Sequence, residues 1–170
     1  MTGSKPYLVV IGPPGAGKSV LGKLVAKLLR VPFIDTDRRI VAQHGPIATI
    51  FAEHGEAWFR AAERAEVSKA LAERAVISLG GGAILNEETQ ADLAGMRVVL
   101  VTVSPEEADR RITGSARPLL ADGIDSWKRI VAQRAEIYER LSTRTVDSSE
   151  RTATSLAHEL AEWIQKEEDR

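Results

Sequence analysis

The sequence predicts an α/β domain in which a parallel sheet is covered by helices, and two observations carry that prediction. Five short strand-like runs, at 7–11, 31–35, 76–79, 97–103 and 143–146, alternate with longer stretches of helical periodicity. The first run leads into Gly12-Pro13-Pro14-Gly15-Ala16-Gly17-Lys18-Ser19, which fits G-x-x-x-x-G-K-[ST] at every fixed position, and an amphipathic helix follows. Strand, glycine turn and helix in this order form the P-loop unit of nucleotide-binding folds.

In the first helix Leu21, Leu24, Val25, Leu28 and Leu29 recur on one face. Glycines let the preceding backbone curl with its N–H groups inward, and the helix start adds unpaired N–H groups and a positive dipole end. Lys18 is then placed to reach the β- and γ-phosphates of a nucleotide and the Ser19 hydroxyl to ligate Mg²⁺. A nucleoside triphosphate with magnesium is the expected ligand.

Bulk properties narrow the partner. A chain of 170 residues with 44% hydrophobic content suits one domain, 1–170, with a core of its own. A net charge of −1 builds no field for nucleic acid or an anionic membrane, so the acceptor is expected to be small; a monomer is expected. There is no cysteine, no apolar run of membrane-spanning length, and no signal peptide in the short polar start, so a cytoplasmic location is expected.

Further along, the run 31–35 ends in Asp35, followed by Thr36-Asp37. Strands of open α/β sheets present their C-terminal ends to the ligand crevice, so Asp35 is a candidate for the magnesium side. A helix N-cap is the competing role for Asp35 and for Asp37, since 38–43 reads as helical. Helices are expected over 47–53 and 56–74, the second burying Phe59, Ala62, Val67, Ala70 and Leu71. Arg60 lies in its first turn, where a cation opposes the dipole, which suggests an anion-binding arginine as well as mere surface decoration. The run 76–79 enters Gly80-Gly81-Gly82, where the absence of side chains lets a ligand approach the backbone.

Ser104 and Pro105 mark a helix start. From 112 to 125 the periodicity disappears, and an aperiodic stretch of this length carrying Arg117 suggests a lid with a cation for the transferring phosphoryl. The helix over 126–141 has an apolar stripe of Trp127, Ile130, Val131, Tyr138 and Leu141, with Arg134 inside it. A charge facing a core is costly unless paired, so Arg134 requires an anion, from the protein or from a substrate. The last helix buries Leu156, Leu160, Trp163 and Ile164 and ends in a charged tail expected to fray, while the three histidines lack ligand spacing and read as surface residues.

Taken together, the P-loop, Asp35-Thr36-Asp37, Phe51-x-x-x-Gly55-Glu56-x-x-Phe59-Arg60, Gly80-Gly81-Gly82, Arg117-Pro118-Leu119-Leu120 and Arg134-x-x-x-Tyr138 resemble shikimate kinase. The motifs occur in that family's order over nearly the whole chain. The resemblance implies a nucleoside-monophosphate-kinase-like fold: a five-stranded parallel sheet flanked by helices, a substrate-binding subregion about 36–63 and a lid about 112–125. It implies ATP and shikimate as substrates, Mg²⁺ as cofactor, and phosphoryl transfer to the 3-hydroxyl.

Carried over by position, Lys18, Asp37 and Arg117 resemble the catalytic residues. Gly15, Ala16, Gly17, Lys18, Ser19, Val20, Arg111, Arg117 and Arg151 fall in the ATP site, and Ser19 and Asp35 on the metal side. Asp37, Arg60, Gly81, Gly82 and Arg134 resemble the shikimate contacts, the two arginines clamping its carboxylate. Val20 stands where threonine is usual and Ala153 where the adenine loop often has proline, and the segment between Arg111 and Arg117 is about a residue short. The rival readings are another small-molecule kinase, of gluconate or a nucleoside monophosphate, and a non-kinase nucleotide switch. The chain lacks the Asn-Lys-x-Asp guanine motif expected of a switch.

Overall fold

The computed structural model describes residues 5–113 and 122–170. Arg117 and the centre of the expected lid lie outside the described residues. Five strands, β1 (Leu8–Ile11), β2 (Phe33–Asp35), β3 (Val76–Ser78), β4 (Val98–Thr102) and β5 (Arg144–Asp147), form one sheet in the order β2-β3-β1-β4-β5. Every pairing is parallel. The helices are α1 (Lys18–Leu29), α2 (Thr36–His44), α3 (Ile47–His54), α4 (Glu56–Leu71), α5 (Glu87–Asp92), α6 (Pro105–Ile112), α7 (Ile124–Leu141) and α8 (Ala153–Glu168).

Strand β1 sits at the centre because all of its side chains are apolar and both faces are covered. Leu8 and Val10 join one core with Val25, Val99, Val101, Leu156 and Leu160, beneath α1 and α8. Val9 and Ile11 join the other with Ile34, Val67, Leu71, Ile77 and Leu100, beneath α4. Helix α7 contributes to both, through Trp127 near its start and Tyr138 near its end. A third, small cluster of Ile40, Ile50 and Phe59 ties α2, α3 and α4 together. Burying such a side chain is worth about 1.5–3 kcal/mol, and Ile47 and Phe51 pack against this cluster to fasten the three helices to one another.

Several boundaries and faces differ from expectation. Helix α2 begins at Thr36 because Asp35 is its N-cap, its carboxylate accepting from Arg38 N at 3.1 Å. Helix α7 begins at Ile124, following Gly123 at φ +61°, and α4 ends at Leu71. In α1 the buried face is completed by Gly22 and Ala26, and Leu28 is exposed. In α4 the acids Glu63 and Glu66 are buried where Ala62 was expected.

The charged tail does not fray. Glu167 and Glu168 are held by Arg97 at 2.7 Å each, and Glu168 also by Arg74 at 2.8 Å. These residues border a hollow of about 990 Å³ at the strands' N-terminal ends, where the charges satisfy one another.

Candidate active site

The loop between β1 and α1 stands at the C-terminal edge of the sheet, between β3 and β4, where ligands bind in open α/β folds. Gly15 and Gly17 adopt φ of +81° and +89°, and Gly17 caps α1, so the curl depends on residues without a Cβ. Lys18 Nζ donates to Pro13 O at 3.1 Å. Ser19 Oγ donates to Asp35 Oδ2 at 2.5 Å, which brings a hydroxyl and a carboxylate oxygen together at the loop's edge. Asp35 thus serves as helix cap through one carboxylate oxygen and as partner of Ser19 through the other, so the cap reading holds. Lys18, Ser19, Asp35, Asp37 and Gly81 line one cavity of about 510 Å³.

Asp37 is placed by a short chain of contacts between β2 and β3. The two strands end in register, Asp35 opposite Ser78. Fully buried Thr36 then donates its hydroxyl to Ser78 O at 3.4 Å and accepts from Gly80 N at 3.2 Å. That puts the next side chain, Asp37, directly over Gly80, where any Cβ would collide with its carboxylate. A Cβ on Gly82 would collide likewise with the Arg60 guanidinium, and one on Gly81 would stand 3.4 Å from Arg134 Nη1. Three consecutive glycines are therefore the floor on which one carboxylate and two guanidinium groups converge.

The two arginines differ in their partners. Arg60 is paired to Glu63 at 2.8 Å and to Glu56 at 3.5 Å, and it borders a neighbouring hollow of about 340 Å³ with Gly82 and Glu63. Arg134 is only 5% exposed, and among the described residues it makes no ion pair within 4.0 Å. An ion pair with an internal carboxylate, one of its two expected fates, is thus not found among the described residues.

Glu63, 3% exposed, is a site residue that the sequence reading missed. Burial pushes its carboxyl up to about 7, against the pull of Arg60 and Arg134, and Asp37 adds to the rise. The signal was available, since Glu63 lies four residues after Phe59 on the buried face of α4. Burial likewise raises the Tyr138 phenol, with Arg134 opposing it.

The expected nucleotide residues also meet. Arg111 and Arg151 border one cavity of about 250 Å³ with Val20, Val101, Ala153 and Leu156. Arg111 donates to Gly15 O at 3.0 Å and to Ser148 O at 2.8 Å, while Arg151 is tied to Glu159 at 2.7 Å. The lining between the guanidinium groups is mostly apolar, which suits a flat aromatic base. Val20 is 59% exposed and borders both this cavity and the larger one, so the position that departs from the usual threonine lies where they join.

A sequence model described as shikimate kinase matches residues 14–165. A shikimate kinase of Thermobifida fusca is 46% identical over 96% of this chain and 95% of its own length. One of Salinispora arenicola is 44% identical over 92% and 96% respectively. Among solved structures, shikimate kinase from Acinetobacter baumannii in complex with shikimate superposes with a TM-score of 0.89 at 27% identity, covering 96% of this chain and 94% of that one. The Aquifex aeolicus enzyme gives 0.80 at 29% identity, covering 94% and 96%. Matched in sequence and fold over nearly its whole length, the chain belongs to the shikimate kinase family.

Proposed function

We propose that the chain transfers the γ-phosphoryl group of ATP to the 3-hydroxyl of shikimate, giving shikimate 3-phosphate and ADP. The observation that carries this reading is the convergence of Asp37, Arg60 and Arg134 on Gly80-Gly81-Gly82 beside the phosphate loop. One carboxylate with two guanidinium groups suits an acceptor that is a polyol carrying a single carboxylate.

In this reading the loop from Gly15 to Val20 cradles the triphosphate through the N–H groups of Gly15, Gly17, Lys18, Ser19 and Val20 and the Lys18 ammonium, with Ala16 packed behind it, and the base lies between Arg111 and Arg151. Arg60 and Arg134 clamp the acceptor's carboxylate with the backbone N–H groups of Gly81 and Gly82, and Glu63 holds Arg60 in place by its 2.8 Å contact. Asp37 orients the hydroxyl and receives its proton as the oxygen bonds the γ-phosphorus. The bond from that phosphorus to the bridging oxygen breaks, and ADP leaves. Such a loose transition state asks mainly for alignment and neutralised charge, so Asp37 needs no neutral-range pKa.

The Ser19–Asp35 oxygen pair fits a small hard cation. Mg²⁺ held there, by Asp35 directly or through water, would neutralise charge on the β- and γ-phosphate oxygens. Arg117, outside the described residues, is assigned by resemblance as a further phosphate-stabilising cation on a lid about 112–125. The reading treats 1–170 as one kinase domain with its acceptor subregion about 36–63, acting as a cytoplasmic monomer on small molecules. A net charge of −1 supports that choice of partners.

The test is a coupled ADP-release assay with MgATP and shikimate, gluconate, AMP or no acceptor in parallel. Release that depends on shikimate is expected. Release with another acceptor would discard the clamp, and release independent of any acceptor would discard the kinase reading.

A further inference from the structure

A phosphate-binding loop works only while its N–H groups face the ligand. In a trans peptide the C=O of one residue and the N–H of the next point in opposite directions across one rigid plane. Fixing the carbonyl outward therefore fixes the following N–H inward. Here the carbonyls of Pro14 and Ala16 precede Gly15 and Gly17, two of the three loop glycines at positive φ. Glycine also leaves these two peptide planes the freest to flip.

Both carbonyls are held by side chains from remote elements. The Trp127 indole N–H, on α7, donates to Pro14 O at 2.8 Å, and this indole is 3% exposed. The Ser148 hydroxyl, just beyond β5, donates to fully buried Ala16 at 2.8 Å, with Thr102 O a second acceptor at 3.1 Å. Arg111 Nη1 donates to the same hydroxyl at 3.0 Å, which occupies its lone pair and directs its proton toward the carbonyls. Ala16 N–H is engaged within the loop by Pro13 O at 3.3 Å. Among the described residues the N–H groups of Gly15 and Gly17 donate to no protein acceptor, as expected of groups reserved for an anion.

We propose that Trp127 and Ser148 are positioning residues for phosphoryl transfer, holding the Pro14 and Ala16 carbonyls outward so that the Gly15 and Gly17 N–H groups stay directed at the polyphosphate. The inference rests on the assignment of residues 12–19 as the ATP phosphate site.

The variants are Ser148→Ala, Ser148→Thr and Trp127→Phe, which keeps a ring but loses the N–H. Each is measured for KM of ATP, KM of shikimate, melting temperature, and Ki of inorganic tripolyphosphate as a competitor of ATP. Loss of one such hydrogen bond is expected to raise KM for ATP and Ki for tripolyphosphate together, by roughly 3- to 10-fold. KM for shikimate should stay within about twofold, and Ser148→Thr should restore both values.

An unchanged KM for ATP in Ser148→Ala would overturn the proposal. So would a raised KM for ATP with an unchanged tripolyphosphate Ki, which would move the effect to the base cavity. A lowered melting temperature with unchanged KM for ATP would reduce both residues to packing. Should Trp127→Phe fail to fold, the two Ser148 variants decide the matter. Tripolyphosphate that does not compete with ATP on the unaltered enzyme would overturn the phosphate-site assignment itself.

Discussion

Glu63 should make the stability of this protein depend on pH in a direction opposite to that of most carboxylates. It is 3% exposed, and burial raises its carboxyl from 4.5 to about 7 despite Arg60 at 2.8 Å. The folded chain therefore holds a proton at Glu63 that the unfolded chain releases, and between pH 4.5 and 7 stability falls as pH rises. At 1.36 kcal/mol per pKa unit the whole shift is worth about 3 kcal/mol, of which roughly 2 to 3 kcal/mol develops between pH 5 and 8.

Glu63→Gln mimics the protonated acid in shape and can still accept from Arg60, so it removes this penalty. In urea unfolding at pH 5 and pH 8, the stability of Glu63→Gln relative to the unaltered protein should rise by that amount at the higher pH. Taking the difference between the two proteins cancels the other titrating groups. A difference that is the same at both pH values would refute the reasoning, because it would mean Glu63 ionises inside the fold as readily as outside it.

The remaining expectations concern the acceptor site. Arg134→Ala and Arg60→Ala should raise KM for shikimate by an amount equivalent to roughly 2 to 5 kcal/mol, with KM for ATP nearly unchanged. Arg134 should show the larger effect, because Arg60 is already shared with Glu63 and Glu56; shikimate titration of each variant checks the order. Asp37→Asn should abolish most of kcat while the melting temperature holds, and near-normal turnover would remove it from the catalytic group. Gly80→Ala places a methyl group against the Asp37 carboxylate and should lower kcat about tenfold or more, the effect expected of a small displacement at the reacting centre. Steady-state kinetics with the fold checked by circular dichroism measures it.

Most of the architecture was legible because local chemistry dictated it. Leu8 to Ile11 is apolar at every position, which only a strand covered on both faces tolerates, and the loop after it needs its glycines where φ is positive. Ser104 with Pro105 announced α6 by capping chemistry alone. Errors fell where long-range partners override local preference. The tail of α8 reads as frayed in isolation, yet Arg97 and Arg74 hold Glu167 and Glu168. Glu63 and Glu66 were not among the residues expected on the buried face, yet they lie there, and Arg60 and Arg39 make their burial tolerable.

The sequence by itself determined a nucleotide-binding α/β domain, the loop that would hold the phosphates, and Arg134 as a charge in need of an anion. These follow from short-range rules: which residues permit a turn, which periodicity forms a helix, and which side chain is out of place on an apolar face. Only the tertiary structure decided that Arg134 lies against Gly81 with no ion pair within 4.0 Å among the described residues, that Asp37 stands over Gly80, and that Trp127 reaches Pro14 O from 113 residues away in the chain. The physical reason is that these contacts join the ends of β2 and β3 to α7 and the loop. Their geometry is set by strand order and register, which no local preference encodes.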